Sequence, residues 1–329
     1  MATAHDQGVG TTATHADGGV ITPRETDKRA IDMWAPIVPV PDVMEHVAEH
    51  FPKEMAGYLR VFYKREPDVR EFGHAAAAMQ MSDDDLIAVL DAAGIERTLI
   101  TGFDEWSSVH ETFIPNEIVA AIVERHPGRF VPFAGADVPR GMEAVREFEE
   151  LVRDRGFRGL SVRPFMIGLP ADDRRYYPLY AKCVELDVPV SIHSSANWTT
   201  VSVNDLGHPR HIDVVAADFP ELKLIMSHAG YPWVLESCLL AWKYPNVYLE
   251  LAAHRPRYLA APGTGWEPLL RFGTTTIKEK ILFGTGWFLL GRPPGQIVDE
   301  FRALPVPDDV MDMWLWRNAA ALLGAGVPA

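Results

Sequence analysis

Short apolar runs alternate along the chain with amphipathic stretches, and Gly or Pro punctuates most of the junctions. From Ser82 onward one unit repeats: cap, amphipathic helix, glycine, strand. Ser82 and the acidic residues after it open a helix with apolar Leu86, Ile87, Val89, Leu90 and Ala93. Gly94 ends it, and Arg97 to Gly102 follows as a strand. The same periodicities predict helices over 116–126, 141–155, 177–186, 211–219, 233–243 and 266–272, and strands over 129–135, 159–165, 188–193, 222–227, 247–251 and 280–286. With Ala30 to Pro36 as the first, eight strands alternate with helices across short links. That alternation is the signature of an α/β fold of the (β/α)8 TIM-barrel type, with right-handed crossovers. An open doubly wound sheet is the competing arrangement. It wants a glycine-rich phosphate turn after an early strand, and neither G-x-G-x-x-G nor G-x-x-x-x-G-K-[ST] occurs. Helices over 294–304 and 307–323 close the chain.

Two stretches depart from the pattern. Residues 1–29 have no periodicity and read as a mobile N-terminal arm, which leaves 30–329 as the barrel domain. Residues 38–80 mix aromatics with charges as an irregular insertion after the first strand, either a lid over a pocket or a surface excursion.

Composition narrows the partners. The chain has 329 residues, 47% hydrophobic and 23% charged, with a net charge of −14. No basic cluster is interleaved with aromatics, which argues against nucleic acid and for a small-molecule substrate. No apolar run approaches the ~20 residues that cross a bilayer, so no membrane partner is expected, and the start lacks the regions of a signal peptide. Cys183 and Cys238 have no ligand spacing and fall inside predicted helices, as reduced core residues of a cytoplasmic protein do.

The candidate chemistry gathers at strand ends. Leu222 to Ser227 is an apolar run ending at His228, and Val188 to Ile192 ends likewise at His193. In a barrel of parallel strands the C-terminal ends share one mouth, so both imidazoles should meet in one pocket. Either histidine alone could equally be a neutral core residue satisfied by backbone. Glu250 and His254 end the 247–251 strand, where a carboxylate could orient an imidazole or take a proton. Arg163 could clamp a substrate carboxylate bidentately. Asp104 could do acid–base work, although capping a helix suits it better. Tyr231, Trp233, Trp198 and Trp287 fall at the same predicted face and would form an aromatic wall. His208 and His211 read as loop and cap. No Gly-x-Ser-x-Gly elbow appears, so a serine nucleophile of the hydrolase type is not indicated.

A series of short motifs runs through the chain in order: Ile31-Asp32, Asp91 to Ile95, Asn116, His126 to Phe130, Gly156 to Leu160, Pro189 to His193, Asp218 to Pro220, Ser227 to Trp233, Pro245 to Tyr248, Leu282 to Thr285, and Arg317 to Ala319. In this order they resemble the amidohydrolase-related family of the amidohydrolase superfamily, the group containing aminocarboxymuconate semialdehyde decarboxylase and related aromatic-acid decarboxylases. The resemblance implies the barrel, an active site at its mouth and a homodimer. It also implies a metal held by His-x-His or an acidic variant on the first strand, a histidine on the fifth and an aspartate after the eighth. Here those positions hold Trp34 and Pro36, His193, and Gly286. One ligand of the set survives where a catalytic transition metal needs about three, so the zinc site is expected to be lost and no cofactor retained. The family's acid–base histidine on the sixth strand persists as His228.

Hydrolysis in this superfamily uses a metal to lower the pKa of water from near 16 to about 7. Reactions that need only proton transfer and charge stabilisation remain open without it: decarboxylation, C–C lysis or cyclisation of a small aromatic or polyketide-like acid, with His228, His193 and Glu250 as catalytic groups and Trp34 beside the substrate. A catalytically silent barrel kept for ligand binding or scaffolding is one alternative. A metal-dependent hydrolase or decarboxylase with substituted ligands is another.

Overall fold

The computed structural model describes residues 29–50, 79–110 and 112–324. The N-terminal arm and most of the expected lid stretch lie outside these residues. Among the described residues ten strands are present: β1 (Ala30–Asp32), β2 (Ile95–Thr101), β3 (Phe103–Asp104), β4 (Thr112–Ile114), β5 (Phe130–Gly135), β6 (Gly159–Val162), β7 (Val190–His193), β8 (Leu224–Ser227), β9 (Val247–Glu250) and β10 (Ile281–Leu282). Eight form one sheet in the order β1-β2-β5-β6-β7-β8-β9-β10, and each registered pair in it is parallel. Sequential order in an all-parallel sheet is what successive right-handed crossovers generate. All eight expected barrel strands are there, and the fold is a TIM barrel.

Two apolar layers hold it. Ile31, Leu99, Val131, Phe133, Ile225 and Leu282, one or two from each of five strands, cluster inside, and Ala319, Leu322 and Leu323 of the last helix close that cluster. A larger cluster lies between the strands and the helices around them. Strands covered on both faces carry no polar alternation, which is why β8 is apolar up to its last residue, Ser227, with every residue buried. Gly159 makes room for the interior: a Cβ there would sit 2.5 Å from the Phe133 ring. Ser82 caps the helix Asp83–Ala92 by accepting from the Asp85 N–H at 3.1 Å. His208 accepts from the Arg210 N–H at the start of Pro209–Asp218, as a loop-and-cap histidine would.

The first and last strands close on each other through few groups. The Met33 N–H donates to the Phe283 carbonyl at 2.8 Å, and the Gly286 N–H to the Trp34 carbonyl at 2.9 Å. Asp32, fully buried, adds a side-chain clasp. Its Oδ1 accepts from the Thr285 N–H at 2.8 Å and the Trp34 N–H at 3.1 Å, and its Oδ2 accepts from the Thr285 hydroxyl.

Three features differ from the periodic reading. β1 ends at Asp32 rather than running on to Pro36, because from Met33 onward the chain turns into the mouth. β3 and β4 make a small antiparallel sheet beyond β2, too short to show a period in sequence. Pro41–His50 is a helix with Val43, Met44 and Val47 buried, inside the stretch expected to be irregular. Among the described residues, no helix is long and apolar enough to cross a membrane.

The clasp yields a prediction. Thr285→Val keeps the side chain's shape but removes one donor to a buried carboxylate, so stability should fall by about 1–3 kcal/mol. Urea unfolding at neutral pH measures it, and a variant as stable as the parent would show the clasp to be dispensable.

Candidate functional site

Beyond β8 the backbone takes an uncommon path. His228, Ala229 and Gly230 have φ of 63°, 48° and 70°, and two left-handed non-glycine residues in succession persist only where the surroundings impose them. A closed set of hydrogen bonds does so at His228. Its N–H donates to Glu250 Oε2 at 3.3 Å, Glu250 Oε1 accepts from the Ala252 N–H, and the Ala252 carbonyl accepts from His228 Nδ1 at 3.0 Å. A carbonyl only accepts, so Nδ1 carries the proton and Nε2 keeps its lone pair. Burial pushes the His228 pKa down to about 4, against the smaller opposing effect of the Ala252 bond. Burial also raises Glu250 well above the carboxylate range. The 3.9 Å approach of Nδ1 to Glu250 Oε2 is therefore a contact in a neutral hydrogen-bonded ring rather than an ion pair.

The imidazoles converge as the shared mouth required. His193 and His228 have ring centroids 5.1 Å apart, and His228 and His254 6.4 Å apart. All three line one cavity, and all three are held neutral at pH 7. His254 is pushed down to about 3 by burial and then by His228; His193 is lowered by burial, then by His228 and Arg163. Ser195 Oγ lies 3.4 Å from His193 Nε2.

The wall is aromatic. Trp34 meets His228 edge to face at 4.7 Å, and Phe165 packs on His193 at 4.5 Å. Phe103, Phe113, Tyr231 and Phe288 continue it, with Trp198 at the rim, 45% exposed. The free space of ≈ 80 Å³ is several times the ~10–15 Å³ that one water needs.

Several expected site residues stand elsewhere. Trp233 packs on His208 at 4.6 Å and does not line the cavity, because it leads into the helix Val234–Lys243 and its ring goes to the barrel exterior. Trp287 starts the short helix Trp287–Leu290 with its ring buried in the core. The next two residues, Phe288 and Leu289, reach the cavity instead. Asp104 also stays outside the lining. It lies just ahead of Trp106–Val109, whose N-cap position is Glu105, and its pKa rises to about 6 through burial, then the charges of Asp137 and Glu105.

Arg163 lines the cavity, but its fork is already engaged. Nε donates to Glu105 Oε1 at 2.7 Å and Nη2 to Glu105 Oε2 at 2.5 Å, both residues are buried, and the guanidinium lies 3.8 Å over the Phe103 ring. Glu105, unnoticed in the sequence, is thus the resident carboxylate of the expected clamp. Its one visible signal is its place in the loop just after a barrel strand.

Trp34, Pro36 and Gly286 offer no side-chain ligand. A Cβ at Gly286, where φ is +55°, would sit 3.0 Å from the Ala253 nitrogen and 3.1 Å from Trp34 Cζ3, so the indole crowds the eighth-strand position. Asp32 and Glu250 are tied to backbone groups. Among the described residues no group of three or more His, Cys, Asp or Glu is placed to share an ion. These residues do not fit a bound transition metal.

A family model described as amidohydrolase matches residues 31–325. The chain belongs to that family. The branch resemblance read from its motifs stands, and its relatives are enzymes. A 2-keto-4-carboxy-3-hexenedioate hydratase of Sphingobium sp. is 28% identical over 236 residues, which are 64% of this chain and 62% of the hydratase. The chain spans less than two thirds of the length of the curated relatives it matches. Among solved structures, an uncharacterised TIM-barrel protein from Bordetella bronchiseptica superposes with a TM-score of 0.69 at 26% identity, covering 90% of this chain and 98% of that one. A 5-carboxyvanillate decarboxylase from Novosphingobium aromaticivorans, complexed with manganese and 4-hydroxy-3-methoxy-5-nitrobenzoic acid, superposes at 0.63 with 15% identity, covering 90% and 96%, and so shares the fold.

Burial of His228 predicts a pH effect on stability. Because burial lowers the folded-state pKa from 6.5 to about 4, the unfolded chain binds the proton first on acidification. The stability that neutral His228 contributes is whole above pH 6.5 and lost as pH falls through that window, by up to about 3 kcal/mol. Asp32 and Asp104, raised to about 6 by burial, act in the opposite sense but cancel between parent and variant. His228→Asn should therefore gain on the parent in urea midpoint between pH 7 and pH 4.5; parallel pH curves for the two proteins would contradict the buried neutral imidazole.

Proposed function

We propose that this protein is a metal-independent lyase or cyclase that moves a proton at a small aromatic or polyketide-like substrate through His228. The hydrogen-bonded ring of His228, Glu250 and Ala252 carries this reading. It supports a neutral imidazole with Nδ1 occupied and Nε2 basic at the wall of the cavity. Nε2 takes the substrate's acidic proton, and the resulting imidazolium, destabilised by burial, returns it readily to the atom where a bond breaks or forms. Glu250 and Ala252 hold the ring in place, while His193 and Ser195 orient the substrate against Phe165 and Trp34. A hydratase among the relatives favours this class, since its reaction needs a proton delivered to or removed from carbon; decarboxylation is the less favoured member, because Glu105 leaves no free cation for a substrate carboxylate. Arg163 no longer supports a free substrate carboxylate, because Glu105 occupies its fork. Trp34, Pro36 and Gly286 supply no side-chain ligand at the family's metal positions, so no step is assigned to a metal.

His228→Asn should retain the parent's melting temperature near pH 7.5 and lose roughly a hundredfold to ten-thousandfold in turnover. His193→Asn should lose less, since it positions the substrate and moves no proton. The assay is mass loss of carbon dioxide or water, or ring closure, in a metabolite-pool screen with purified protein, repeated after exhaustive chelation. An active His228→Asn protein, or stoichiometric metal retained through chelation with His193 as a ligand, would overturn this reading.

A further inference from the structure

We infer that the cavity selects an uncharged, flat hydroxyl-bearing ring over the carboxylate form of the same ring, and that the Glu105–Arg163 pair sets this preference. The inference rests on the cavity being the substrate site. Among the described residues that line it, Arg163 is the one permanent charge. Its guanidinium is not available as a lone cation. Nε and Nη2 are bonded to the two oxygens of Glu105, both side chains are buried, at 8% and 5% exposure, and the Phe103 ring covers one guanidinium face at 3.8 Å. Charge in this wall is thus cancelled before any ligand arrives.

A ligand carboxylate would be the third charge in a place where two already balance. It would lose its hydration in an apolar cavity and share one guanidinium with a resident carboxylate, leaving a net negative charge without compensation. The histidines are not placed as counter-charges: His228 Nδ1 is bonded to the Ala252 carbonyl, and the His228 and His193 rings pack against Trp34 and Phe165. An amide or hydroxyl on the ring carries no such penalty, and it can still use the guanidinium N–H groups that Glu105 leaves free. The remaining contacts suit a neutral aromatic: Trp34 and Phe165 offer ring surface, His228 Nε2 can accept from a ring hydroxyl, and Ser195 can donate to it.

The test is calorimetric and uses no turnover. 3-Hydroxybenzamide and 3-hydroxybenzoate share ring, hydroxyl and size but differ in charge at pH 7.5. The parent protein should bind the amide at least tenfold more tightly than the benzoate. Trp198→Ala, a rim change that leaves the core alone, should weaken amide binding several-fold and so locate it in this cavity. In Glu105→Gln the guanidinium keeps its charge and loses its carboxylate partner, so the benzoate should gain at least tenfold relative to the amide. A benzoate that binds the parent as tightly as the amide or more so, binding of neither probe, amide binding unmoved by Trp198→Ala, or an unchanged ratio in a folded Glu105→Gln would each overturn the inference. If Glu105→Gln does not fold, the parent comparison still decides. An active His228→Asn protein would remove the catalytic reading and leave this ratio where it is, so the two failures are distinguishable.

Discussion

Closure of the barrel depends on one buried carboxylate. β1 is three residues long and β10 two, too short to zip a seam by backbone pairing alone. Asp32 answers this by accepting from Thr285 twice and from Trp34 once. No cation faces it among those contacts, and burial raises its pKa to about 6. A carboxylate in such surroundings is tolerable only because every contact is a donor fixed by the fold. The same clasp determines where the following residues go. Trp34, anchored through both its N–H and its carbonyl, is placed against His228, and Gly286 is held beside it.

The cavity follows a consistent electrostatic plan. Among the described residues that line it, the ionisable groups are neutral or paired. The histidines are neutral through burial, Glu250 is bonded to backbone N–H groups, and Arg163 is matched by Glu105. In a site of this kind proton transfer costs little reorganisation, because the donors and acceptors are already oriented. The basicity of His228 Nε2 is governed by how well the site tolerates a transient imidazolium.

Much of this was legible in the chain itself, and the limits have physical causes. The barrel strands could be read from their regular alternation with helices, and β8 most plainly because two-sided burial removes polar alternation. The meeting of His193 and His228 could be read because equivalent ends of parallel strands share a face. The loss of ligands at Trp34, Pro36 and Gly286 needed only their identities. What could not be read lies in contacts between remote segments. Glu105 and Arg163 are 58 positions apart, and nothing in either segment's periodicity announces the other. Trp233 and Trp287 follow strand ends as expected, but whether an indole faces the mouth or the core is decided by the turn that precedes it. The ring through Glu250 and Ala252 depends on a left-handed His228, a conformation that no residue type at that position advertises.

The crowding of Gly286 by Trp34 has a bearing on the history of such a site. An aspartate introduced at 286 would meet the indole and a backbone nitrogen in a left-handed conformation that suits glycine. A histidine introduced at 34 in place of the indole would find no partner across the seam. The two positions are therefore coupled: the indole has to leave before a side chain can enter at 286. With the indole filling that space, a side chain at 286 is excluded by sterics at two positions rather than by any feature of the fold as a whole.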